Sequence, residues 1–222
     1  MEFEQFELYA EELANSLTHG VGGVLFLVLC PLLISTAVQT KKAGNMIGAC
    51  FFSFGLLAVY FSSTIFHAIS HQFTKEVLQY FDLLSIYFLI SGTYTAYILV
   101  YFKNKLGFIL LAAIWIISVL GINFAIFIPD LPPIYSLLLY LMLGWIGIVL
   151  IKPSISKVSK NVLGLIVLGG LSYTIGTYFF YFDNIRFYHA IWHLFVVLGS
   201  LLHWIAIFLA IRGDKKVNEV GF

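Results

Sequence analysis

The residues best suited to chemistry are histidines in an otherwise apolar context. His189 and His193 frame the segment HAIWH and lie at i and i+4, so on a helix both imidazoles share a face about 6 Å apart along the axis, the arrangement of helix-borne zinc pairs. Two ligands do not make a site. His67, which ends the apolar run containing SSTIFH, is a candidate third, and Ser63 precedes it by four residues on the same helical face. Three histidines with one open position describe a catalytic zinc centre, in which bound water supplies hydroxide near neutral pH. Asp82 could orient that water and accept its proton. At each position a plainer reading stands beside this one. The HxxxH pair could bond to neighbouring helices or reach for the interface, Asp82 could answer a helix dipole in a first turn, and Ser63 could bond to its own backbone.

The elements that must position these groups are membrane spans. Of 222 residues, 61% are hydrophobic and only 10% are charged, with a mean hydropathy of +0.98, a composition that marks an integral membrane protein. Seven apolar runs of about 20 residues, enough to cross roughly 30 Å of hydrocarbon, are placed at 17–38, 45–68, 80–101, 106–128, 133–151, 161–182 and 188–211. Continuous rather than alternating apolarity predicts helices and not a barrel. The fold class is therefore all-α, a polytopic seven-transmembrane-helix bundle. The domain reading is a surface segment at 1–16, a membrane domain at 17–211 and a tail at 212–222. Phe3, Phe6, Ala10 and Leu13 recur at helical spacing among glutamates, which predicts a short amphipathic helix ahead of the first span. The acidic start MEFEQFELYAEEL predicts no cleaved signal peptide.

With seven crossings, the start of span 1, the end of span 2 and the starts of spans 3 and 7 share one membrane face. His19, His67, Asp82, His189 and His193 occupy those places. His19 is expected to line the site behind the ligands, although its glycine neighbours also suit close helix packing. His71 competes with His67 as the ligand from span 2, but its place beside Gln72 and Lys75 favours a solvated loop. His203, ten residues past His193 and so about 15 Å deeper, cannot join the same metal and is expected to bond between helices.

Twelve Lys and Arg divide unevenly between the faces: only Lys75 and Arg186 accompany the N-terminus. This bias predicts an external N-terminus and a cytoplasmic C-terminus at the cell membrane. A net charge of +1 without a basic run excludes a nucleic-acid partner. Cys30 and Cys50 lie in apolar runs and are too few for a disulfide framework.

Four stretches together, ELANSLTHGVGG, SSTIFHAIS, FDLLSIYFLISGTYT and HAIWHLFVVLGSLLHW, resemble the hemolysin III family across essentially the whole chain. That family is related to the progestin and adiponectin receptors and distantly to alkaline ceramidases. The resemblance implies a zinc ion on His67, His189 and His193, with Asp82 and Ser63 close to the metal and its water. Leu83 stands where many members have histidine after the aspartate, and Ala96 where many have proline. The adiponectin receptors keep their N-terminal side in the cytoplasm, the reverse of the orientation read here from charge.

The leading functional expectation is a zinc-dependent hydrolase of lipid amide or ester bonds, with a ceramide-like or fatty acyl lipid as substrate or ligand. Asp82 would act as general base then acid, and Ser63 would stabilise the oxyanion. The alternatives are a lipid-sensing receptor or regulator with structural zinc and, less favoured, a pore-forming haemolysin.

Overall fold

The computed structural model describes the backbone of residues 2–128, 132–182 and 185–220. The side chains of 1–6 and 214–222 lie outside the described residues, among them Phe3, Phe6, Lys215 and Lys216. Among the described residues eight α-helices follow in order: α1 Glu2–Gln39, α2 Ala43–Ala68, α3 Gln72–Tyr101, α4 Lys105–Phe127, α5 Pro133–Trp145, α6 Ile151–Lys157, α7 Lys160–Tyr181 and α8 Tyr188–Val220. A 3-10 turn, Ile146–Leu150, joins α5 to α6, so these three pieces form one crossing. Seven helical segments are long and apolar enough to span a membrane, and the chain is a multi-pass membrane protein.

The helix expected ahead of the first span is continuous with it in α1. At the far end, α8 likewise runs past the span through Val220. At α3 the reading of a membrane-edge start changes. The helix begins at Gln72, with His71 as its N-cap accepting from the Thr74 amide, so Asp82 lies almost three turns inside rather than in the first turn. The dipole explanation for Asp82 therefore fails, because that effect fades within one turn. His71 is an exposed cap, separate from the histidines at the membrane face.

Helices α2 and α3 touch backbone to backbone. A Cβ added at Gly48 would lie 2.6 Å from the Ala96 Cα, one at Gly55 would lie 2.6 Å from the Leu89 Cα, and one at Gly92 would lie 2.6 Å from the Phe51 carbonyl oxygen. Small residues permit this approach, which in lipid supplies the packing that the hydrophobic effect does not. Gly55→Ala is therefore expected to destabilise the bundle by about 1–3 kcal/mol, as overpacking does, although helix propensity alone favours alanine by about 1 kcal/mol. Reversible unfolding in mixed micelles reads the sign.

Two polar pins fix α3 close to Asp82. The Ser62 hydroxyl of α2 donates to Ser85 Oγ at 3.2 Å, and the Tyr140 hydroxyl of α5 donates to the Leu83 carbonyl at 3.0 Å. The break in the fifth crossing is satisfied from α3 as well. Tyr94 donates to the Gly144 carbonyl at 2.6 Å and accepts from the Gly147 amide at 2.9 Å, while Gly147 leaves room for its ring. Pro153, lacking an N–H for the carbonyl one turn back, adds to the irregularity.

Candidate metal centre

His67 ends α2, and His189 and His193 open α8, so two helices far apart in sequence deliver the three imidazoles. One ligand atom from each ring lies within 4.8 Å of the others, and this group could hold a metal ion. The ring centroids are 5.1 Å apart for His67 and His189, 5.2 Å for His67 and His193, and 4.6 Å for His189 and His193. His67 and His193 are buried and His189 is half-buried.

Hydrogen bonding selects the tautomer in two of the three rings. His193 Nδ1 lies 3.1 Å from the Asn15 carbonyl, an acceptor only, and so carries the proton. Thr18 Oγ1 is also 3.1 Å from that nitrogen. His67 Nδ1 lies 2.6 Å from Glu12 Oε2 and donates to it. In both rings Nε2 is left with its lone pair, the form in which imidazole binds a metal. The His67 Nε2 is buried with no hydrogen-bond partner among the described residues. An unsatisfied buried polar atom costs about 1–3 kcal/mol, and three converging neutral imidazoles repel no cation. This donor set fits a transition metal ion.

His19 lies against the group without entering it. Its ring stacks on His193 at 3.6 Å and 17°, meets Tyr60 edge-on at 5.0 Å, and has no hydrogen-bond partner at either nitrogen among the described residues. Ser63 is buried with its hydroxyl facing the carboxylate of Asp82, which is itself half-buried. Both line one cavity of about 240 Å³ together with His19, His189 and His193. The cavity continues along α3 to Tyr97, fifteen residues beyond Asp82 and so about 22 Å at helical rise. Its walls on α5, α7 and α8 are predominantly apolar, with Leu137, Ile166, Val167 and Val196 among them. His203 borders it too, but its Nε2 donates to the Ile166 carbonyl of α7 at 3.0 Å, the interhelical bond expected of it.

The haemolysin-III-related family profile matches residues 8–204. The chain belongs to that family. Hemolysin-3 homolog of Bacillus subtilis is 40% identical over 190 residues, 86% of this chain and 89% of the relative. Hemolysin-3 of Bacillus cereus is 36% identical over 192 residues, covering 86% and 88% of the two chains. The similarity extends to animals: monocyte to macrophage differentiation factor of Homo sapiens is 30% identical over 209 residues, 89% of this chain and 83% of that protein.

Reading the sequence alone misses Glu12, because apolarity places residues 1–16 in a surface segment. The signal for it was present: Glu12, Asn15 and His19 fall at i, i+3 and i+7, one stripe of a continuous helix with no Gly or Pro between them.

Proposed function

We propose that this haemolysin-III-related protein is a zinc-dependent hydrolase of lipid amide or ester bonds, with His67, His189 and His193 as the metal ligands. One observation carries the reading: two of those histidines share a cavity wall with a carboxylate and the hydroxyl beside it, and the same cavity runs on for about 22 Å between apolar walls. A headgroup linkage would sit beside Asp82 and Ser63 while an acyl chain occupies the apolar length.

When bound, zinc supplies Lewis acidity and makes water a competent nucleophile near neutral pH. Asp82 takes the proton of the attacking water and returns it to the departing amine or alcohol. The Ser63 hydroxyl, which faces the Asp82 carboxylate, turns to donate to the carbonyl oxygen as negative charge builds there. His19, stacked on His193, holds that ring against rotation. The charge bias supports placing this end outside the cell membrane and the C-terminus in the cytoplasm.

The test is release of fatty acid from a ceramide-like lipid and its ester analogue by the purified chain in lipid nanodiscs. Removing the metal with a chelator is expected to lower the rate by at least about 10²-fold, with recovery on zinc and not magnesium, because imidazole ligands do not suit magnesium. Equal rates before and after stripping would sink the reading. So would the absence of release from either lipid, which would leave zinc as a tie between α2 and α8.

A further inference from the structure

We infer that Glu12 is a positioning residue for His67: it holds the imidazole as the Nδ1–H tautomer, turns Nε2 toward the other two histidines, and is itself held by Lys75. The inference rests on the metal reading of the three histidines and adds to it the group that prepares one ligand.

Glu12 divides its two oxygens. Oε2 takes the His67 Nδ1 proton at 2.6 Å, and Oε1 pairs with Lys75 Nζ at 2.9 Å. A carboxylate can only accept, so the proton of a neutral His67 must sit on Nδ1 and the lone pair on Nε2. That Nε2 is the buried atom with no hydrogen-bond partner among the described residues. With one nitrogen committed to a carboxylate and the other placed for a cation, the ring has the arrangement that raises ligand basicity and fixes orientation in metalloproteins.

Lys75 is more than a passing surface charge. Its ammonium lies 3.4 Å from both the Phe66 and Ile69 carbonyls, at the end of α2 where carbonyls lack helical partners, and 4.7 Å from the centre of the Phe66 ring. It thus binds Glu12 of α1 to the residues flanking His67. The surrounding turns of α1 are anchored on the other side as well. Glu11 Oε1 accepts from the Phe187 amide at 3.2 Å, and Glu7 Oε1 pairs with Arg186 at 3.7 Å, both just ahead of α8. Asn15, one turn after Glu12, takes the corresponding proton of His193 through its carbonyl. One stripe of α1 therefore sets the tautomers of ligands from α2 and α8 while contributing no ligand itself.

The experiment uses the full chain in nanodiscs with cobalt(II) alone as the probe, its affinity measured by chelator competition and its geometry by the visible absorption of the ion. Glu12→Ala is expected to weaken cobalt binding about 10–100-fold, the usual effect of losing such a partner. Glu12→Gln, which keeps an acceptor without the charge, is expected to restore part of that loss. In metal-free wild type with ¹⁵N-labelled histidine, His67 should show a protonated Nδ1 and an unprotonated Nε2, and Glu12→Ala should lose this bias. Should Glu12→Ala not fold, Lys75→Met is expected to weaken cobalt in the same direction to a smaller extent. Wild-type affinity and an unchanged tautomer in the Glu12 variants, with His67→Ala losing the ion, would overturn this inference alone. A wild type that binds no cobalt, or a His67→Ala variant that binds it normally, would overturn the metal reading and this inference with it.

Discussion

His193→Ala is expected to abolish zinc binding at the proposed three-histidine centre. Structural zinc sites are worth about 10–16 kcal/mol over four ligands, so each ligand contributes about 2.5–4 kcal/mol, or on the order of 10²–10³ in affinity. His193 is the candidate ligand with least freedom: it is 1% exposed, its Nδ1 proton is taken by the Asn15 carbonyl, and its ring is stacked on His19. Alanine there removes a donor atom, leaves the Asn15 carbonyl without that hydrogen bond and uncovers one face of His19. Zinc per chain, measured on purified protein equilibrated at fixed free zinc, should fall from about one to a small fraction. His71→Ala is the control within the same chain, because the exposed α3 cap has no part in the cluster and its loss should leave zinc unchanged. Wild-type zinc in His193→Ala would remove the premise of the proposed chemistry.

The parts of this arrangement that could be read from the sequence are those that the bilayer imposes. A crossing helix needs about 20 apolar residues, and seven such runs fix how many ends lie on each face. Helical spacing then puts His189 and His193 on one face and Ser63 one turn before His67. What apolarity cannot show is where a backbone helix starts, because hydropathy reports the solvent and not the hydrogen-bond ladder. The polar residues Gln72, Thr74, Lys75 and Glu76 are helical although they precede the apolar run, which is why Asp82 was expected near a helix start and lies well inside α3. The fifth crossing looks uniform for the same reason, yet it breaks at Ile146–Leu150, and only Gly144, Gly147 and Pro153 hint at that. Glu12 was hidden by a boundary drawn at residue 16, since a glutamate seen as belonging to a surface segment has no reason to face a histidine 55 residues away. The long cavity depends on how loosely α5 meets α3 and α7, and α3 meets α8, a property of tertiary packing that no single run of residues encodes.

Asp82→Asn is expected to lower lipid hydrolysis by about 10²–10⁴-fold while zinc content stays near that of wild type. The substitution keeps size and shape but can no longer accept a proton, so it isolates proton transfer from packing. Asp82 is half-buried and lies on the cavity wall with Ser63, while the three-histidine group forms without it. Tyr140, pinned to the Leu83 carbonyl, and Ser62, bonded to Ser85, should hold α3 in place in the variant. Loss should therefore fall on kcat, with KM little changed, because on the proposed reading the apolar walls and not the carboxylate would hold the acyl chain. A rise in KM with kcat preserved would instead assign Asp82 to holding the headgroup. Joint loss of zinc and activity would place its carboxylate in metal binding, and undiminished turnover would exclude it as the base. Because the same variant separates these roles by two measurements, it distinguishes a catalytic cation from one that only joins α2 to α8: in the second case no hydrolysis exists for Asp82 to support, and zinc is the sole readout left standing.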